Sequence, residues 1–317
     1  MSAQITVVGS LNMDFVAQVA NLPMPGETVL GHGFQTISGG KGANQACAAG
    51  KLGGRTRMVG RVGADVFGVQ LRESLRVAGV NVDAVLATPD TPSGVALIFV
   101  QTAGQNQIVV ASGANMRLVP SDVETALAEI EGGYVLLQLE SPLDTVEAVA
   151  RIARRRGATV ILDPAPVCHL SAALLACVDL LTPNETEANA LLGRRESSVS
   201  LEEAPSVARA LLELGVGTVV LKLGEKGALV ADRSGSRHYP APRVDAVDAT
   251  AAGDTFNGGL AVALAEGRTI DEAVAFANVA ASLSVTRLGA QASIPTRSEV
   301  DAEITRSHGV LLSGGAI

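Results

Sequence analysis

Short apolar runs recur along this chain, separated by amphipathic segments, and that alternation narrows the fold more than any other feature. Ile5–Val8, Tyr134–Leu139, Thr159–Leu162, Asp179–Leu181 and Thr218–Leu223 read as strands buried on both faces. Between them lie helical patterns such as Phe67, Leu71, Leu75 and Ala78, closed by Gly79. Ser121 and Glu124 after Pro120 have the spacing of a capping box, and Ser141-Pro142 reads as an N-cap followed by proline in the first helical position. Strand–helix alternation of this kind predicts an α/β fold, doubly wound, with a mostly parallel sheet covered on both faces.

Two stretches break the alternation. Residues 12–37 lack helical periodicity, contain Pro23 and Pro25, and hold β-rich pieces around Thr28–Leu30 and Phe34–Ile37. Residues 91–112 read as a hairpin, Gly94–Val100 and Gln107–Ala111, turning at Ala103-Gly104-Gln105-Asn106. Together they are expected to form a small sheet outside the main layer. The predicted division is a core of residues 1–11, 38–90 and 113–317 with a lid of residues 12–37 and 91–112.

At 317 residues the chain can bury a large core unaided. Aromatics make up only 3%, so Ala, Val and Leu must fill the interior. The formal charge of −8 argues against a broad nucleic-acid surface, and Arg154-Arg155-Arg156 is expected to complement a helix end instead. Cys47, Cys168 and Cys177 show neither disulfide nor zinc spacing, and the four histidines show no ligand spacing. No run suits a membrane span. The N-terminal residues lead straight into an apolar strand without an export signal, so a cytoplasmic protein is expected.

Open parallel sheets bind ligands beyond the carboxyl ends of their strands. Here those ends carry Asn12 and Asp14, Glu140, Asp163, Asn184 with Glu187, and Gly224. Ser38-Gly39-Gly40-Lys41-Gly42-Ala43-Asn44 is a glycine-rich turn before a helix, but not a P-loop, because Gly-Lys is followed by Gly. Ala251-Ala252-Gly253-Asp254-Thr255-Phe256 opens another helix, expected from Thr255 to Ala265, whose free N–H groups suit an anion. An aspartate there is either an N-cap or a general base beside a transferring phosphoryl group; the residues alone leave both open. A nicotinamide oxidoreductase is disfavoured, since no Gly-x-Gly-x-x-Gly follows the first strand.

Taken together, these segments resemble the ribokinase family of carbohydrate kinases. The resemblance runs almost end to end: Gly9-Ser10-Leu11-Asn12-Met13-Asp14, Pro25-Gly26-Glu27-Thr28, residues 39–46, Gly94–Val100, Gln138-Leu139-Glu140-Ser141-Pro142, Thr182–Ala188, residues 251–258 and Val285–Gln291. It implies an ATP-dependent kinase acting on the 5-hydroxyl of D-ribose, with Mg²⁺ and a monovalent cation, K⁺ by expectation. It also implies a β-sheet lid that covers the sugar and supplies a homodimer contact. By resemblance Asn12, Asp14, Gly40, Lys41, Asn44 and Glu140 hold the sugar, Asp254 is the base, and Ala251, Ala252 and Gly253 form the anion hole. Asn184 and Glu187 match an element organising magnesium and phosphate through water. Lys222, Gly224 and Asn278 match nucleotide-side positions, and Asp248, Thr250, Arg287, Gly289 and Ser293 a monovalent-cation site.

Three residues depart from the family pattern: Ala249 for a usual threonine, Ala251 for a frequent glycine, and Lys222 for a common threonine. Other acceptors (deoxyribose, a nucleoside, another sugar) and a non-catalytic sugar sensor are the alternatives. Few aromatics are available to stack a nucleobase.

Overall fold

A computed structural model describes residues 2–101, 106–128 and 131–313. Among these, the strands in chain order are β1 (Ile5–Val8), β2 (Asn12–Val19), β3 (Gly31–Gly39), β4 (Thr56–Gly63), β5 (Asn81–Thr88), β6 (Gly94–Gln101) and β7 (Asn106–Ala111). They continue as β8 (Tyr134–Leu137), β9 (Thr159–Leu162), β10 (Leu180–Leu181), β11 (Thr218–Lys222), β12 (Ala228–Asp232) and β13 (Gly235–Tyr239). The main sheet has the order β13-β12-β11-β10-β9-β8-β1-β4-β5, and only the β11–β12 and β12–β13 pairs are antiparallel.

Successive side chains along a strand face opposite ways, which is why wholly apolar runs were needed. Ile5, Leu136, Ile161 and Val220 pack beneath the helices Lys41–Lys51, Ala252–Ala265 and Ile270–Ser284 on one face. Val8, Leu137, Leu162 and Leu221 pack beneath Leu143–Arg155 and Ala204–Leu212 on the other. The first helix layer is built from small residues. A Cβ on Gly258 would lie 2.5 Å from the Ala48 Cβ, so Lys41–Lys51 and Ala252–Ala265 cross almost backbone to backbone.

From β1 the chain winds outward through β4 and β5, then returns to β8 on the other side of β1 and winds the opposite way. The carboxyl ends of β1 and β8 therefore flank a topological switch point, where such sheets open a crevice.

The two non-alternating segments form the second sheet, β3-β2-β6-β7. Its β2–β6 pair is parallel and its outer pairs antiparallel. The β-rich residues Thr28–Leu30 are not a strand; the pairing strand begins at Gly31. The hairpin strands lie where expected, while residues 103–105 of the expected turn fall outside the described residues.

Several local expectations are corrected. The helix Pro120–Leu127 is capped by Asp122, which accepts the Val119 N–H at 3.1 Å, so Ser121 and Glu124 form no box. The next helix starts at Leu143 with Pro142 as N-cap, and Ser141 Oγ is buried without a protein partner. The arginine cluster does lie at a helix end as expected, Arg154 and Arg155 closing the last turn of Leu143–Arg155. Arg154 and Arg156 also donate to the carbonyls of Ala176 and Ala128, which cap neighbouring helices. No helix among the described residues is long and apolar enough to cross a membrane.

Candidate active site

The loop after β1 and the glycine-rich turn are pressed together at the switch point. Gly40 has φ 89° and an added Cβ would lie 2.7 Å from the Asn12 nitrogen; at Gly42 it would lie 2.6 Å from the Ser10 nitrogen. Only glycine permits both the left-handed turn and that approach. This seats Lys41, Asn44 and Gln45 on one face of the Lys41–Lys51 helix, at spacings of three and four residues, facing the crevice.

The residues expected on the acceptor side come together. Asn12 Oδ1 accepts from Asn115 Nδ2 at 2.7 Å, and Glu140 Oε2 accepts the Ser10 hydroxyl at 2.5 Å and the Lys41 N–H at 3.2 Å. Burial, then the charges of Glu140 and Asp254, push the Asp14 carboxyl up to about 7. Burial opposes the Lys41 ammonium, but Asp254, Asp163, Glu140 and Glu187 outweigh it and hold its pKa above the ordinary lysine value. Asn44 Oδ1 is buried without a protein partner, an acceptor that suits a sugar hydroxyl.

The helix expected from Thr255 begins at Ala252, with Ala251 as N-cap in the left-handed region at φ 60°. Asp254 is thus not the N-cap. Its carboxylate accepts from Asn44 Nδ2 at 3.0 Å and Gln45 Nε2 at 3.1 Å, so it turns toward the acceptor side. Burial pushes this carboxyl up to about 6; Asp163 adds to the rise, while Lys41 and the two amide bonds oppose it. The Ala252 N–H donates to the Ala249 carbonyl at 3.2 Å. Among the described residues the N–H groups of Gly253 and Asp254 have no protein acceptor, which leaves them for an anion.

A buried polar chain was not foreseen. Gln138 Nε2 donates to Gln45 Oε1 at 2.5 Å, and Gln45 Nε2 also donates to Asp163 Oδ2 at 2.9 Å. The other Asp163 oxygen takes Lys222 Nζ at 2.9 Å. Asp163 stood out at a strand end, and the helical spacing of Lys41, Asn44 and Gln45 was the available signal for Gln45.

Among the residues expected on the nucleotide side, Asn184 and Glu187 cap each other: Glu187 N–H donates to Asn184 Oδ1 at 2.8 Å and Asn184 N–H to Glu187 Oε2 at 2.7 Å. The half-buried Glu187 carboxylate is a hard oxygen donor that fits magnesium held through water. Gly224, φ 58°, opens the turn after β11. Asn278 donates its Nδ2 to the Tyr239 carbonyl at 2.9 Å, tying its helix to β13. Asp248 accepts from the Thr250 N–H at 2.9 Å, the Thr250 hydroxyl at 2.6 Å and the Gly289 N–H at 2.9 Å, joining two loops in an oxygen-rich corner that suits a monovalent cation. Arg287 turns to Glu299 at 2.6 Å and offers an ion only its main-chain carbonyl, while Ser293 Oγ donates to the Ala290 carbonyl at 2.8 Å and keeps its lone pairs.

A buried carboxylate aimed at an acceptor pocket, with unpaired helix N–H groups beside it, is machinery for moving a phosphoryl group to a hydroxyl. The model of the pfkB family carbohydrate kinases matches residues 2–297. The chain belongs to that family. Among its carbohydrate-kinase relatives, ribokinase from Bacillus subtilis is 43% identical over 298 residues, covering 94% of this chain and 98% of the relative. Ribokinase from Haemophilus influenzae is 41% identical over 300 residues, with 94% and 97% covered. The structure of Arabidopsis thaliana ribokinase complexed with ribose and ATP superposes with a TM-score of 0.86 at 37% identity, over 95% of this chain and 98% of that one. This kinase therefore has the ribokinase fold, with the large sheet and the small one described above.

Proposed function

We propose that this carbohydrate kinase transfers the γ-phosphoryl group of ATP to the 5-hydroxyl of D-ribose. The observation that carries the reading is Asp254: a buried carboxylate held by Asn44 and Gln45, next to the unpaired N–H groups of Gly253 and Asp254. Ribose hydroxyls meet Asn12, Asp14, Asn44 and Glu140, with Lys41 among them and Gly40 allowing close approach. Asp254 takes the proton as the hydroxyl oxygen attacks, and the Gly253 and Asp254 amides stabilise charge on the equatorial phosphoryl oxygens. Ala251 sets their direction, while the Ala252 amide is engaged at Ala249.

Asn184 and Glu187 would hold Mg²⁺ through water, and the ion would supply charge neutralisation on the phosphates. Asp248 and Thr250, with main-chain oxygens near Arg287, Gly289 and Ser293, hold K⁺ and stiffen the loop leading to the anion hole. Lys222 and Gly224 border the nucleotide; Asn278 supports it indirectly, through Tyr239. The core is residues 1–11, 38–90 and 113–317. Residues 12–37 and 91–112 form a lid that shields the sugar from water and pairs two subunits. The need for ATP supports a cytoplasmic location.

The test is ADP release with ATP, Mg²⁺ and K⁺, comparing D-ribose, 2-deoxyribose, fructose and a nucleoside. Fastest turnover on ribose is expected. Turnover on another acceptor alone would replace the substrate, and tight ribose binding without ADP would make the protein a sensor.

A further inference from the structure

Lys222 sits at the meeting point of three parts of the site. It is the last residue of β11, and its N–H donates to the Pro183 carbonyl at 2.8 Å, placing it alongside Asn184. Its ammonium bonds Asp163 at 2.9 Å, with the two side chains only 11% and 4% exposed. A Cβ built on Gly253 would lie 3.4 Å from Lys222 Nζ, so the ammonium borders the anion hole itself.

A buried pair kept only to neutralise charge has no reason to sit beside unpaired backbone N–H groups. Removing an ion from water is costly, and an ammonium offers three donors where Asp163 takes one. Resting on the kinase reading above, we infer that Lys222 is a further donor of the anion hole: it is held on Asp163 and contacts the γ-phosphoryl group during transfer. Asp163 is its positioning residue. Through Gln45, which bonds both Asp163 and Asp254, the phosphate-side cation and the acceptor-side base are set by one amide. In the step itself the hydroxyl oxygen bonds phosphorus, the bond to the ADP oxygen breaks, the hydroxyl proton passes to Asp254, and Lys222 keeps its own proton.

Lys222→Met removes the charge at similar length. It should lower kcat about 100-fold, the scale of losing one such donor, with the ribose KM within about threefold of wild type. In calorimetric titrations, affinity for ATP should fall about tenfold and affinity for ADP less than twofold, because only ATP carries the γ-phosphate. Lys222→Arg should recover part of kcat.

Lys222→Met strands the Asp163 charge and can unfold the chain, so Asp163→Asn/Lys222→Met removes both charges together. If this double variant stays about 100-fold slow, Lys222 acts on the phosphate. If it regains wild-type kcat and the wild-type ATP-to-ADP affinity ratio, Lys222 serves only to neutralise Asp163 and the inference is overturned. Wild-type protein that releases ADP with no sugar would sink the kinase reading, and the ATP-to-ADP contrast would then decide Lys222 by itself.

Discussion

In the proposed role of base Asp254 must lose its proton, and burial makes that harder than in water. With its carboxyl pushed up to about 6, kcat/KM should climb with pH through that region and level off above it. Asp254→Asn should cost about 10²- to 10⁴-fold in kcat while ribose still binds, as read by steady-state kinetics beside titration calorimetry. Near wild-type turnover in that variant would remove Asp254 from the mechanism. Asp14 carries a stability cost of the same origin. Its carboxyl rises from an ordinary 3.8 to about 7, so the native state binds the proton more tightly than the unfolded chain. Stability from this group is present below about 4 and is lost as pH rises toward 7. Asp14→Asn should therefore raise Tm at pH 8, by a stability gain on the order of 1–4 kcal/mol, with no gain at pH 4, and should weaken ribose binding. Equal gains at both pH values in a thermal melt would contradict the assignment.

At the scale of elements, the Asp254 carboxylate is placed by a helix crossing. Lys41–Lys51 supplies Asn44 and Gln45, and Ala252–Ala265 supplies Asp254, with Gly258 at the contact. Gly258→Ala should push the helices apart, cost about 1–3 kcal/mol, and lower kcat as the two amides draw back from Asp254. A variant with reduced Tm and unchanged kcat would show that the crossing holds the fold but not the base. Much of this level was readable in the residues. The runs at β1, β9 and β11 are continuous apolar stretches, and the two signature loops precede helices. β2 carries a period-2 strand pattern, Met13, Phe15, Ala17 and Val19 alternating with Asn12, Asp14 and Gln18, but its pairing with β3 and β6 is long-range and no local pattern reports it. The start at Ala252 was hidden because Ala251 reaches the left-handed region without being glycine or asparagine. Gln45 bonds partners 118 and 209 residues away, and no local pattern reports such distances.

For the whole molecule, the small sheet leaves apolar side chains in water on both faces. By register Phe34, Leu97 and Val109 lie on one face and Ile108 and Val110 on the other, all at least 44% exposed. That surface fits a second copy, as proposed above. Sedimentation should give a dimer mass for the wild type and a monomer mass for Val109→Lys; a wild-type monomer at micromolar concentration would refute the dimer. The proposed sugar contacts and the proposed lid share one strand, since β2 begins at Asn12 and runs out into the small sheet. Ligand contact at its first turn is thus mechanically continuous with the lid.

The crossing of Lys41–Lys51 with Ala252–Ala265 also fixes when the protein can become active during its making. The acceptor-side residues from Asn12 to Asn44 leave the ribosome early, but their base arrives only when residue 254 has emerged. Until then the growing chain lacks the carboxylate proposed as the base, and the proposed transfer cannot proceed. Activity switches on late in synthesis, once the two helices meet.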